Sequence, residues 1–184
     1  MNSLRKIIQI STYYFLPIVL ATGSIVFQNR WIYSKYGSIA FLLLTGNLYL
    51  KPVSVLFRNK LFTFISTYRR EMGIASFWFY LFHSSGLYLL NNLSLSSFSN
   101  TSSYLFWALP AAIGMWLLGV TSNDISVKRL GRNWKRLHRI AYFVFFFALI
   151  HSSLAEREVG KIFILSIPFI ILKYFEYKKI PFVW

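Results

Sequence analysis

The 184-residue chain contains no cysteine and only five acidic residues, against twenty lysines and arginines. The absence of cysteine excludes disulfides, cysteine-ligated iron–sulfur clusters and thiol catalysis. The sequence also shows no Ser-His-Asp set, no paired carboxylates and no cluster of metal ligands, so hydrolytic chemistry has no support. Any redox chemistry must therefore use another cofactor.

Apolar residues dominate the sequence. Hydrophobic residues make up 56% of the chain, aromatic residues 20% and charged residues only 14%, which is incompatible with an ordinary water-soluble domain. The basic residues lie between apolar runs rather than on one polar face or in a tail, so they do not indicate nucleic-acid binding. The composition predicts an all-α membrane protein in contact with lipid.

Apolar segments recur along the chain at lengths near that of a membrane-spanning helix, which needs about 20 residues. Pro17, Pro110 and Pro168 lie inside them, which transmembrane helices tolerate. The second and sixth segments are short, and the first also resembles a signal peptide. We predict a single domain over residues 1–184, a bundle of six transmembrane helices at roughly 12–28, 36–50, 72–90, 104–122, 137–154 and 161–175.

The distribution of lysine and arginine predicts the orientation of this bundle. If the N-terminus is cytoplasmic, sixteen basic residues lie on the inner side and four on the outer side, as the positive-inside rule expects. Both termini would then be cytoplasmic. The chain is expected to be a multi-pass protein of a bacterial inner membrane.

The three histidines occupy the third and fifth predicted spans, which run in the same direction. His83 follows Arg70 by 13 residues, and His151 follows His138 by 13 residues. At about 1.5 Å of rise per residue, His83 and His151 should lie at matching depth in the outer half of the membrane. His138 should lie near the inner surface.

Histidines inside membrane spans are costly and usually functional, whereas one at a helix end, such as His138, is more often interfacial. His83 and His151 suit axial ligation of a haem held between two helices; each could instead hydrogen-bond a neighbouring helix.

The 13 residues from His138 to His151 rotate a regular helix by about 220°, so the two side chains would not share a face of a straight helix. Two haems stacked along the fifth span would therefore need a bend or irregularity between His138 and His151.

The sequence YRREMGIASFWFYLFHSSGLYL, followed by GVTSNDISVKRLGRNWKRLHRIAYFVFFFALIH, resembles the six-span ferric reductase-like transmembrane domain family. Within that family it most resembles the MsrQ (YedZ) branch, the haem-binding membrane subunits of bacterial periplasmic methionine sulfoxide reductase systems. The resemblance covers residues 37–155. Its most specific part is Thr121-Ser122, Leu130-Gly131, Trp134, Leu137-His138-Arg139, Tyr142 and His151, in that order and spacing.

This resemblance implies electron transfer through non-covalently bound haem b. The wider family places two histidine ligands on each of the third and fifth helices, but here Arg69 or Arg70 falls where the fourth ligand would be. His83 with His151 is the expected haem site. His138 either serves a second haem with another ligand or joins the two arginines in binding a haem propionate, the phosphate of FMN, or a quinone, since guanidinium groups suit phosphate and carboxylate.

The resemblance also implies partners. The chain has no glycine-rich dinucleotide fingerprint, so electrons are expected from a cytoplasmic flavin reductase or from quinol. They would pass to a periplasmic molybdopterin methionine sulfoxide reductase of the MsrP type. Whether the chain is itself an enzyme stays open. The alternatives are a stand-alone ferric or quinone reductase cytochrome, or a small transporter without a cofactor.

Overall fold

The computed structural model describes residues 2–91 and 103–178, and in these ranges the secondary structure is entirely helical. The predicted all-α class is confirmed. The helices are α1 (Asn2–Ile10), continued by a π-helical turn (Ser11–Phe15) into α2 (Leu16–Val26), α3 (Arg30–Phe57), α4 (Lys60–Ser66), α5 (Arg69–Asn91), α6 (Tyr104–Val120), α7 (Asp124–Leu130), α8 (Arg132–Leu137), α9 (Ile140–Glu156) and α10 (Gly160–Lys178).

Within residues 2–91 and 103–178, three helical segments are long and apolar enough to cross a membrane: Ser3–Val26, Arg30–Phe57 and Arg132–Glu156. A fourth is added if α6 and α7, which meet at an angle of 93°, are counted together. The molecule is thus a multi-helix membrane protein. The count of six spans and the cytoplasmic position of both termini stay predictions.

Helix α3 is much longer than the short segment predicted at 36–50. It begins after Asn29, whose side chain caps it by accepting a hydrogen bond from the Trp31 amide at 2.8 Å. It continues through Pro52, which is almost completely buried, and ends at Arg58 in the left-handed conformation. The sequence prediction ended the helix too early because Lys51 and Pro52 are typical of a connection. Neighbouring helices can compensate for a proline inside a membrane helix.

The connections predicted on the inner side contain the short helices α4, α7 and α8. Asn123 caps α7 by accepting a hydrogen bond from the Ser126 amide at 2.8 Å. Asp124 is the first residue of α7. Its carboxylate accepts a hydrogen bond from Arg70 at 2.6 Å, because a carboxylate so near a guanidinium gains more from the charged partner than from an amide.

The core of the bundle forms where α3 packs on α5 and α6 packs on α9. Gly114 of α6 permits the second contact, since a Cβ atom there would lie 2.3 Å from Cγ2 of Val144. Phe145 at the centre is completely buried and stacks on Phe41 with ring centres 6.0 Å apart. The buried cluster consists of Leu44, Leu48, Phe77, Met115, Val144, Phe145, Leu149 and Phe169.

A reciprocal set of polar contacts joins α3 to the start of α5. Arg69 Nε donates to the carbonyl oxygen of Asn47 at 3.1 Å and to its Oδ1 at 3.0 Å. Asn47 Nδ2 donates to the Arg69 carbonyl at 2.8 Å. This set gives Arg69 a structural role beside the cofactor role predicted for it.

Replacing Asn47 with Ala should lower the stability of the protein in detergent by about 1–3 kcal/mol, because the half-buried guanidinium of Arg69 loses a charged hydrogen bond. Thermal unfolding checks this. Ser38→Ala is the matched control on α3, since its hydroxyl is exposed and bonds only within the helix. A loss of bound haem at unchanged stability would instead assign Arg69 to a cofactor.

Candidate functional site at the paired histidines

His83 of α5 and His151 of α9 lie next to each other. Their ring centres are 6.4 Å apart and their planes are inclined by 72°. The structure therefore brings together the two histidines that the sequence predicted to face each other at matching depth. The ring of Tyr104 lies beside them, with its centre 5.6 Å from that of His151.

Each imidazole is held through one nitrogen by a backbone carbonyl. Nδ1 of His83 lies 2.8 Å from the carbonyl oxygen of Tyr33, in the first turn of α3. Nδ1 of His151 lies 2.8 Å from the carbonyl oxygen of Tyr104, the first residue of α6. Because a carbonyl oxygen only accepts, each Nδ1 carries a hydrogen, and in the neutral imidazole each Nε2 then keeps its lone pair. In that form the site presents two imidazoles that can each bind a metal.

The donor set fits a haem iron better than a bare ion. Among the described residues, no group of three or more histidine, cysteine or acidic side chains could hold a metal ion, and a bare ion such as zinc takes four ligands. Haem iron takes most of its ligands from the porphyrin and needs only one or two from the protein. His83 and His151, with ring centres 6.4 Å apart, would supply them.

His138 lies apart from this pair, at the end of α8. Its ring stacks on Trp134 with centres 3.9 Å apart, and its Nε2 lies 3.1 Å from Oγ1 of Thr121. Trp134 Nε1 also donates to the Thr121 carbonyl at 2.8 Å. The break between α8 and α9 falls at His138 and Arg139, which is the kind of irregularity required between His138 and His151 if the helix is to serve two sites.

Arg69 and Arg70 serve different neighbours. While Arg69 bonds to Asn47, Arg70 Nε donates to the Ser122 carbonyl at 3.2 Å and its Nη1 to Asp124 at 2.6 Å. The hydrogen bond and charge of Arg70 lower the pKa of the Asp124 carboxyl below its ordinary value. The predicted binding of an anionic cofactor group by both arginines and His138 stays a prediction.

Glu71 is a buried charged residue that the sequence analysis did not single out. Its side chain is 2% exposed, and its Oε1 accepts a hydrogen bond from Gln9 at 3.1 Å and lies 3.7 Å from Arg5 Nε. Its Oε2 has no hydrogen-bond partner in the described part of the chain. The signal was available, because Glu71 is one of only five acidic residues and begins an apolar span. Together with Tyr13, which donates to Ser122 at 3.0 Å, it joins the N-terminal helices to the bundle.

Comparison with known proteins agrees with this picture. The chain is similar to the protein-methionine-sulfoxide reductase heme-binding subunit MsrQ of Agrobacterium fabrum, 29% identical over 88% of this chain and 75% of the relative. It is also similar to MsrQ of Rhizobium meliloti, 26% identical over 50% of this chain and 45% of the relative. The magnetosome protein MamZ of Magnetospirillum gryphiswaldense is 26% identical over 89% of this chain, which spans only 25% of MamZ.

No solved structure matches the chain. The family described as "Ferric reductase like transmembrane component" matches residues 36–149 and so covers more than half of the sequence, including His83 and His138, while His151 lies two residues beyond the matched range. The resemblance stated from the sequence is thereby confirmed. The chain belongs to the ferric reductase-like transmembrane family.

Proposed function

We propose that this chain is a membrane electron-transfer subunit of the MsrQ type, which binds one haem b through His83 and His151. One observation carries the proposal: the two rings are 6.4 Å apart, and each Nδ1 is bound to a carbonyl, which leaves each Nε2 free. Two relatives named as heme-binding subunits support it.

The bound haem iron would supply one-electron redox chemistry, and the chain's own residues would set its surroundings. The Tyr33 and Tyr104 carbonyls orient both imidazoles and increase their basicity by accepting from Nδ1. The Tyr104 ring lies beside His151, with ring centres 5.6 Å apart, and adds apolar surface to the site. Such an apolar shell controls solvent access and the redox potential of a metal site.

A single haem follows from the different surroundings of His138. Its Nε2 already contacts a protein hydroxyl, and Trp134 covers one face of its ring. In this proposal His138 organises the turn between α6 and α9. A second haem at His138, with another ligand, is the alternative.

Substituting either paired histidine tests the assignment. His83→Ala and His151→Ala should each lower haem per polypeptide by at least about tenfold, because loss of a ligand should cost no less than loss of its supporting groups. His138→Ala is the matched control and should retain most of the haem. Pyridine haemochrome quantification measures all three variants. Full haem content in His83→Ala would refute the site. Loss of half of the bound haem in His138→Ala would indicate a second haem.

The direction of transfer rests on the orientation predicted from charge, with both termini cytoplasmic and six spans in a bacterial inner membrane. The structure adds that α7, α8 and the turn before α9, on the predicted inner side, carry exposed basic side chains that form no ion pair among the described residues. An acidic donor protein or anionic lipid would be attracted to such a surface. These side chains are Lys128, Arg129, Arg132, Lys135, Arg136 and Arg139.

The absence of native cysteine makes this orientation directly measurable by single-cysteine labelling in intact cells. Lys60→Cys and Lys178→Cys should be protected from a membrane-impermeant maleimide, whereas Gln28→Cys and Glu158→Cys should react. All four positions are exposed on the protein surface, so reactivity reports the side of the membrane. Equal labelling of Lys60→Cys and Glu158→Cys would contradict the predicted topology.

For partners, we propose that a cytoplasmic flavin reductase or quinol donates electrons and that a periplasmic molybdopterin methionine sulfoxide reductase accepts them. The names of the two MsrQ relatives support the acceptor. The segment between α5 and α6 that would face it lies mostly outside the described residues. A stand-alone ferric or quinone reductase is the alternative.

Reoxidation of the dithionite-reduced protein distinguishes these acceptors. The purified periplasmic reductase with methionine sulfoxide should restore the oxidised α-band spectrum faster than ferric citrate or a soluble quinone at equal electron equivalents. Stopped-flow absorbance measures the three rates. Faster reoxidation by ferric citrate would favour ferric reductase activity, and a colourless, folded protein from haem-replete cells would favour a transporter.

A further inference from the structure

Gly37 of α3 forms the surface on which the His83 ring rests. A Cβ atom at Gly37 would lie 2.5 Å from Nδ1 of His83, 2.6 Å from its Cε1 and 2.9 Å from its Cγ. Only a residue without a side chain leaves room for the imidazole there. The ring therefore lies against the backbone of α3, one helical turn beyond Tyr33, whose carbonyl accepts the hydrogen bond from Nδ1.

Gly86 of α5 receives the Tyr33 ring in the same way. A Cβ atom at Gly86 would lie 2.3 Å from both Cδ1 and Cε1 of Tyr33. The Tyr33 side chain is 6% exposed, and its hydroxyl donates to the Ser24 carbonyl at 3.0 Å. Three contacts thus hold Tyr33 in place. Its ring packs against Gly86, its hydroxyl donates a hydrogen bond to α2, and its carbonyl accepts one from His83.

The two contacts are reciprocal. Tyr33 and Gly37 are four residues apart on α3, and His83 and Gly86 are three apart on α5, so each pair shares one face of its helix. Each helix inserts a ring beside the glycine of the other, and the hydrogen bond from His83 to Tyr33 lies between the two contacts. His151 is held differently, by the first residue of α6.

We propose that Gly37 and Gly86 are positioning residues for the haem site, which hold His83 and the Tyr33 carbonyl at hydrogen-bonding distance. They act through His83 and touch neither iron nor porphyrin in this assignment. Supporting groups of this kind orient a metal ligand and tune its basicity. The glycines thereby set both haem affinity and the midpoint potential of the iron. This inference rests on the proposed function.

Gly37→Ala tests the first contact, with Gly46→Ala as the matched control on the same helix. A Cβ at Gly46 would meet only the flexible end of Met72, at 3.9 Å. Gly37→Ala should weaken haem binding by about tenfold or more and shift the midpoint potential of the haem that remains. Gly46→Ala should change neither. Haem titration of the purified apoprotein and spectroelectrochemistry provide the two measurements.

Gly86→Ala tests the second contact and allows a rescue. Its methyl group would collide with the Tyr33 ring, so the carbonyl of Tyr33 should move and the midpoint potential should shift. Adding Tyr33→Ala removes the colliding ring but keeps the backbone carbonyl. The double variant should therefore regain the potential of Tyr33→Ala alone. No regain would show that Gly86 does not act through Tyr33 and would overturn that half of the proposal.

A stability measurement distinguishes displacement of the His83 ring from a general folding defect. In apoprotein, Gly37→Ala should lower the unfolding temperature when His83 is present and have little effect in the His83→Ala background. Equal losses in both backgrounds would overturn the proposal. Unchanged haem affinity and potential in Gly37→Ala would also overturn it, while the proposed function would stand if His83→Ala still loses haem. If His83→Ala keeps its haem, the proposed function itself fails.

Discussion

The site depends on two hydrogen bonds between imidazole Nδ1 atoms and backbone carbonyls. Free imidazole exchanges its proton between two nitrogens, so a histidine without such a partner would not present a fixed lone pair. In this protein the Tyr33 and Tyr104 carbonyls accept from Nδ1 of His83 and His151 and so keep the hydrogen on that nitrogen. Both carbonyls belong to the first turn of a helix, at Tyr33 in α3 and at Tyr104 in α6. The starting points of two helices therefore determine the chemistry of side chains on two others.

The two Nδ1–carbonyl hydrogen bonds matter because the membrane spans contain few charged residues that could hold the imidazoles instead. Burying an unpaired polar group costs free energy, and several polar side chains inside the bundle bond to the backbone. Ser76, for example, is fully buried and donates to the Ala40 carbonyl at 2.7 Å. Several charged residues lie at the opposite end of α5, where Arg70 pairs with Asp124 and where Gln9 and Arg5 reach Glu71. The proposed division between an apolar haem site and a charged, partner-facing end follows from this distribution.

Much of this arrangement could be predicted from the sequence. Apolar run length predicts the helices, and equal offsets of 13 residues predict that His83 and His151 meet. The length of α3 could not be predicted, because a buried proline and a lysine within a helix look like a connection. The separate partners of Arg69 and Arg70 also depend on tertiary contacts, with Asn47 and Asp124 respectively. The role of Gly37 could not be predicted either, because it depends on the His83 ring that packs against it in the folded protein.

The central claim is that both imidazoles bind one iron. Electron paramagnetic resonance with electron–nuclear detection on the oxidised protein, prepared with ¹⁵N-labelled histidine, tests it most directly. The account predicts a low-spin ferric signal coupled to one Nε2 from each of two histidines, with one coupling absent in each single variant at residues 83 and 151. A high-spin signal, or coupling to a single histidine in the unaltered protein, would contradict it.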